Sequence, residues 1–153
     1  MASASLNHVS VSATDLNESI HFYRELFGAE RVPTPNFGFP VQWLRIADRQ
    51  LHLFQRPGDA PAYHHFAIAV DDMDAVYAQA AARGCFDRTS FGHHLYELPG
   101  DCVQLYLRDP GGNLVEADAQ GAGRLGPAAR AELRRLTDHI PQSPENLRAT
   151  LFL

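Results

Sequence analysis

The sequence predicts an α+β fold of two β-α-β-β-β modules in pseudo-twofold pairing, followed by a C-terminal helical tail. Three observations lead there. First, the run Asn7-His8-Val9-Ser10-Val11-Ser12 returns as His65-Phe66-Ala67-Ile68-Ala69-Val70, with the two histidines 57 residues apart. In each run apolar residues alternate with polar or small ones. Val9 and Val11, or Phe66, Ile68 and Val70, therefore share one strand face, and the histidine lies on the other. Second, each run leads into a helix start, with Asp15 and Asp72 as N-caps at the same offset and Glu18 completing a capping box after Asp15. Third, 153 residues at 45% hydrophobic suit one core, or two small modules sharing one. The expected organisation is a single domain over residues 1–120, with modules at about 6–55 and 63–118, and an extension over 121–153.

In the first module, a strand from about Leu6 to Ala13 leads to a helix from Leu16 to Phe27. Leu16, Ile20, Tyr23 and Phe27 form its apolar stripe and Gly28 ends it. A strand through Glu30, Arg31 and Val32 stops at Pro33 and Pro35. After an aromatic loop, strands at Val41 to Ala47 and Gln50 to Gln55 flank a turn at Asp48-Arg49, and a linker runs from Arg56 to Pro61. The second module has its strand at His65 to Val70, a helix from Met73 to Arg83 and a weak strand at Phe86 to Ser90. The stretch His93 to Leu98 reads as an inserted strand or lid without a counterpart in the first module, ending at the turn Pro99-Gly100-Asp101. Val103 to Leu107 and Asn113 to Ala117 close the module around Asp109-Pro110-Gly111-Gly112. In the extension, a helix of about a dozen residues is expected from Ala128 to His139, and the apolar end Leu151-Phe152-Leu153 is expected to dock on the body or on a partner chain.

Composition narrows the function. A formal charge of −5 argues against nucleic acid and anionic membrane as partners. All 13 basic residues are arginine, so chemistry that needs a lysine is excluded. The first residues lack a leader pattern and no apolar stretch is long enough for a membrane span, so a cytoplasmic protein is expected. Cys85 and Cys102 read as reduced thiols. Asn17-Glu18-Ser19 falls in a helix and is discounted as a glycosylation site, while His21 and His139 read as surface residues.

The chemistry lies in the strands that open and close each module. Gln50-Leu51-His52-Leu53 and Leu114-Val115-Glu116-Ala117 each follow a turn, which makes His52 and Glu116 equivalent. His8, His52, His65 and Glu116 thus face away from the helix-covered side, and a twofold relation between the modules would bring them together. Three imidazoles and a carboxylate suit one divalent ion such as Fe, Ni, Zn or Mn. His8, His65 and Glu116 alone would make a two-histidine, one-carboxylate site with open positions. Phe37, Phe39, Trp43, Phe54 and Tyr96 are candidate walls of a substrate pocket.

Four stretches carry a resemblance. They are Asn7-His8-Val9-Ser10-Val11, Phe22-Tyr23-Arg24-Glu25-Leu26-Phe27-Gly28, His65-Phe66-Ala67-Ile68 and the run from Leu105 to Glu116. From about Leu6 to Asp118 the chain resembles the vicinal oxygen chelate superfamily, which spans glyoxalase, bleomycin resistance and extradiol dioxygenase proteins. The resemblance implies paired modules forming a curved mixed sheet around a metal bound at His8, His65 and Glu116, which a small substrate chelates through adjacent oxygens. A homodimer is expected, because each unit presents a curved half-sheet that needs a partner and the linker from Arg56 to Pro61 is short; the resembling glyoxalase and fosfomycin branches share the site between chains, whereas some dioxygenases build it within one chain. The metal would be a Lewis acid for an enediolate or catecholate oxygen. At the position of His52, glyoxalase I has a carboxylate and the epimerase a glutamine, which leaves His52 as fourth ligand or base. Extradiol dioxygenases have a tyrosine like Tyr106 and a histidine near it, a part for His93 or His94. The reading leans to a dioxygenase-type reaction, with a glyoxalase-type isomerase or lyase as the alternative and a non-catalytic ligand-binding or resistance protein as the third.

Overall fold

The structure, a computed structural model, describes residues 5–151. Residues 1–4, where a leader pattern is lacking, and Phe152 and Leu153 of the apolar end lie outside the described residues. The chain forms two compact units. One runs to Pro61 and takes in Asp109–Asn113, and the other holds Ala62–Arg108 and the chain from Leu114 onward.

Unit one contains β1 (His8–Ser12), α1 (Leu16–Phe27), β2 (Glu30–Val32), β3 (Val41–Ile46) and β4 (Arg49–Phe54). The strand order is β1-β4-β3-β2, with β1 parallel to β4 and the other pairs antiparallel. α1 starts where the Asp15 carboxylate accepts the Glu18 N–H at 3.0 Å, and it ends at Gly28 with φ of 63°. Its buried residues Ile20, Tyr23 and Leu26 lie on β3 and β4, whose Leu44, Leu51 and Leu53 complete the core. Each such leucine contributes roughly 1.5–3 kcal/mol. The β3–β4 turn is Ala47-Asp48, one residue earlier than the sequence suggests. The register pairs Ile46 with Arg49, and Ala47 takes φ of 50°.

Unit one is completed by Asp109–Asn113. The Tyr23 hydroxyl donates to Asp109 Oδ2 at 2.6 Å, and the Asn113 N–H and Nδ2 donate to Asp109 Oδ1 at 2.8 and 3.0 Å. Asn113 Nδ2 also donates to the Ser12 carbonyl at 2.7 Å. Gly111 is required there, because a Cβ would stand 2.6 Å from that same carbonyl. Burial pushes the Asp109 carboxyl above its ordinary range and the Tyr23 phenol well above its own, so the proton stays on Tyr23.

Unit two contains β5 (His65–Ala69), α2 (Met73–Arg83), β6 (Leu95–Leu98), β7 (Cys102–Arg108), β8 (Leu114–Gln120), α3 (Pro127–Glu132) and β9 (Arg134–Arg135), in the order β5-β8-β7-β6-β9. Three expectations are corrected here. The stretch Phe86 to Ser90 makes a single bridge, Phe86 to Leu107, because the Asp87 carboxylate draws the N–H groups of Thr89 and Ser90 into a turn. The stretch read as an insert supplies β6, which holds the place in this sheet that β2 holds in the first. The twelve-residue tail helix is also cut short. α3 stops at Glu132, Leu133 is extended, and Arg134 and Arg135 pair with Tyr96 and Glu97 on the open edge of β6. Arg135 Nε to Glu97 Oε2 at 3.1 Å holds that addition. No helix among the described residues is long and apolar enough to cross a membrane.

Candidate metal centre

In unit one the register places Ser10 opposite His52, and Trp43 on β3 lies across from His52. The rings stack as His8, His52, Trp43, with centroids 4.1 and 4.3 Å apart and planes within 14° and 7°. Both faces of the His52 ring are thus covered, and chemistry is left to its edge. Asn7 Oδ1 can only accept, so the His8 Nδ1–H donates to it at 2.9 Å and Nε2 keeps the lone pair. His52 is held the other way round. Its Nε2–H donates to Gln50 Oε1 at 2.9 Å, which leaves the lone pair on Nδ1. Burial, and then His8, lower the His52 pKa, which favours the neutral ring.

In unit two the register is the same. Ala67 lies opposite Glu116, and Tyr106 lies across from Glu116 as Trp43 lies across from His52. His65 and His8 are therefore equivalent by strand pairing, as are Glu116 and His52. The His65 Nδ1–H donates to the Tyr63 carbonyl at 2.7 Å, and this directs the Nε2 lone pair at Glu116 Oε2, 3.0 Å away. A nitrogen lone pair facing a carboxylate oxygen needs a cation between them, either a proton or a metal ion. Behind Glu116, Gln104 Nε2 donates to Oε1, and the Tyr106 hydroxyl donates to Gln104 Oε1 at 3.0 Å. Asp118, beside Glu116 and also buried, has Oδ1 without a partner among the described residues, and burial with the Glu116 charge pushes it up to about 8. A buried pair of carboxylates with one orphaned oxygen fits a site built to take positive charge.

The sequence candidates divide between the units. Phe37, Phe39, Trp43 and Phe54 come together in unit one, with centroids 6.0 to 6.4 Å apart. Tyr96 belongs to unit two, where its hydroxyl donates to the Phe91 carbonyl and its ring meets His93 edge-on. The Tyr106 N–H donates to the His94 carbonyl at 2.8 Å, but the rings of His93 and His94, expected beside the Tyr106 hydroxyl, are engaged elsewhere. His94 is fully buried against Phe86 and Tyr77 of α2, and His93 Nε2 is tied to the Glu132 carbonyl at 2.6 Å. Both residues precede β6, in the bend that leads into it, and so are not bound by its alternation. Ligand atoms of His93, His94 and Glu132 lie within 4.8 Å of one another. Arg88 already supplies a cation there, with Nε 3.2 Å from His94 Nδ1 and a terminal nitrogen 3.7 Å from Glu132.

Burial, with His93 and Arg88 nearby, pushes His94 down to about 4. The folded state therefore resists a proton that the unfolded chain accepts near its ordinary value. The stability this contributes is complete above about pH 6.5 and is lost as pH falls through about 4. Melting temperature followed from pH 7 to pH 4 should fall, and His94→Leu should flatten that slope. An unchanged slope in the variant would contradict this assignment.

Residue 56 was missed. Arg56 follows His52 and Phe54 at alternate positions, a signal the sequence carries, and its guanidinium lies 3.9 Å from the centre of the Phe39 ring.

Residues 5–117 match the Glyoxalase/Bleomycin resistance protein/Dioxygenase superfamily. The chain belongs to that superfamily. Within it, the chain is 29% identical to methylmalonyl-CoA epimerase, mitochondrial, of Mus musculus, over 74% of this chain and 71% of the relative. The corresponding Homo sapiens protein is 27% identical, over 74% of this chain and 72% of its own. Lactoylglutathione lyase from Agrobacterium tumefaciens shares the superfamily fold at a TM-score of 0.58 and 22% identity, covering 77% of this chain and 95% of that one. A mutant fosfomycin resistance protein, FosX, from Listeria monocytogenes, complexed with Mn(II) and a dihydroxypropylphosphonic acid, gives 0.60 at 17% identity, covering 85% and 98%.

Proposed function

We propose that this superfamily member is a divalent-metal-dependent enzyme in which His8 Nε2, His65 Nε2 and Glu116 hold one ion, with His52 beside it. The observation that carries this is the His65 lone pair aimed at Glu116 Oε2 across 3.0 Å, with its tautomer fixed by the Tyr63 carbonyl. The ion, when bound, polarises a carbonyl of a small substrate that presents adjacent oxygens. The reaction is a proton transfer at the carbon next to that carbonyl, of the isomerase or epimerase type. His52 takes the proton at Nδ1, and its ring is kept in place by the stacks on His8 and Trp43.

The curated relatives named as epimerases support this branch over the dioxygenase toward which the sequence leans. Tyr106 supports it as well. Its hydroxyl is engaged by Gln104, and burial with the Glu116 charge makes it a weaker acid than an ordinary phenol, which suits a support of Glu116 better than a proton donor. A homodimer belongs to this reading, with a dimer mass expected by light scattering at micromolar concentration.

The test is solvent exchange. Metal-loaded protein in D2O, given 2-alkylmalonyl thioesters and α-hydroxycarbonyl compounds, should wash out the proton next to the carbonyl. His52→Phe should lose at least about 100-fold of that rate, the lower end of what a positioned base supplies, while keeping its metal. Oxygen uptake with catechols and no exchange would favour the dioxygenase. Binding without either reaction would favour a ligand-binding module.

A further inference from the structure

Unit one holds an open cleft of about 410 Å3 lined by Ser10, Val11, Ser12, Phe39, Phe54 and Arg56. It lies on the strand face that carries the histidines, because Ser10 and Ser12 follow His8 at alternate positions and Phe54 and Arg56 follow His52. The register agrees, pairing Ser10 with His52 and Ser12 with Phe54. From His8 to Ser12 the face runs for roughly 13 Å, at about 3.3 Å per residue.

Its chemistry changes along that length. His8 stands at one end, Ser10 beside His52 and Ser12 beside Phe54 follow, and the guanidinium of Arg56 stands at the other. The Arg56 guanidinium carbon lies over the Phe39 ring, 3.9 Å from its centre, and both residues line the cleft. Among the described residues no carboxylate pairs with Arg56. A planar, stacked guanidinium with unfilled donors, next to two hydroxyls and a phenyl wall, is a receptor for an oxyanion carried on an apolar stem.

We propose that this cleft binds the far end of the substrate and that Arg56 makes the enzyme select substrates carrying a carboxylate or phosphate there. The proposal rests on the metal reading above only for which end of the substrate faces His8. The oxyanion site itself stands without metal.

The full-length, metal-free protein should be titrated with phenylacetate, phenyl phosphate and the neutral phenylacetamide. Binding is read by calorimetry and by the fluorescence of Trp43, the chain's one tryptophan. The two anions are expected to bind at least 10-fold more tightly than the amide. Arg56→Ala should bring them down to the amide's level without changing the amide, and Arg56→Lys should restore part of the difference. Tighter binding of phenyl phosphate or of phenylacetate supports the proposal either way and identifies the preferred oxyanion. Equal binding of the amide, or anion binding unchanged in Arg56→Ala, overturns it. Because Arg56 is exposed, the variants should keep the parent melting temperature. Failure of the metal reading would show separately, as wild-type protein that takes up no ion, and would leave this result intact.

Discussion

Glu116→Gln is expected to lower affinity for a divalent ion by more than about 100-fold, beyond the range that loss of a supporting partner of a ligand costs. The amide keeps the size of the side chain but removes the charge that faces His65 Nε2. The same change should leave the stability of the metal-free protein unchanged or raised, because it relieves the crowding of Glu116 and Asp118, both buried on β8. Loss of metal with an unimpaired fold is the signature of a ligand. Chelator competition gives the affinity and a melting curve of the stripped protein gives the stability. An affinity within a few-fold of wild type would remove Glu116 from the site.

Asp109→Ala is expected to destabilise the protein by about 3–4 kcal/mol, without any direct effect on the ligands. The substitution takes the acceptor from the fully buried Tyr23 hydroxyl and from the Asn113 N–H. Each buried donor left without a partner costs about 1–3 kcal/mol. For a chain of this size that is a fall in melting temperature of roughly 6–16 °C, at about 2–4 °C per kcal/mol. Tyr23→Phe should cost less, because it removes the donor and leaves Asp109 its Asn113 partners. If Asp109→Ala melted within a degree or two of wild type, the network would not be what holds Asp109–Asn113 in unit one.

These cases show which features could be read from residues alone. The helices Leu16–Phe27 and Met73–Arg83 were legible to the residue because side-chain caps and αL glycines mark both ends with local chemistry. The equivalence of His52 with Glu116 was legible because strand alternation has a period of two and the turns before them set the phase. β6 was expected as an inserted strand or lid, and its equivalence to β2 was missed because that depends on a long-range partner. Only the pairing of Tyr96 with Gln104 and of Glu97 with Val103 shows that it completes the sheet. β9 was invisible for the same reason, since a helix-favouring run beginning at Ala128 gives way where an unfilled sheet edge offers hydrogen bonds. His93 and His94 looked chemical by type, but they lie in the bend before β6, and their packing against α2 and α3 depends on contacts far along the chain that no local pattern shows. Arg56 continues the alternation of His52 and Phe54, but it lies one residue past the expected end of the strand and so was read as the start of the linker.

The central claim is that one divalent ion is held by His8, His65 and Glu116. Its most direct test is the metal content of protein purified without added metal, then loaded, desalted and analysed beside the triple variant His8→Ala, His65→Ala, Glu116→Ala. The account predicts about one ion per chain in the wild type and near none in the triple variant, with both proteins folded. Stoichiometric metal retained by the folded triple variant would contradict it.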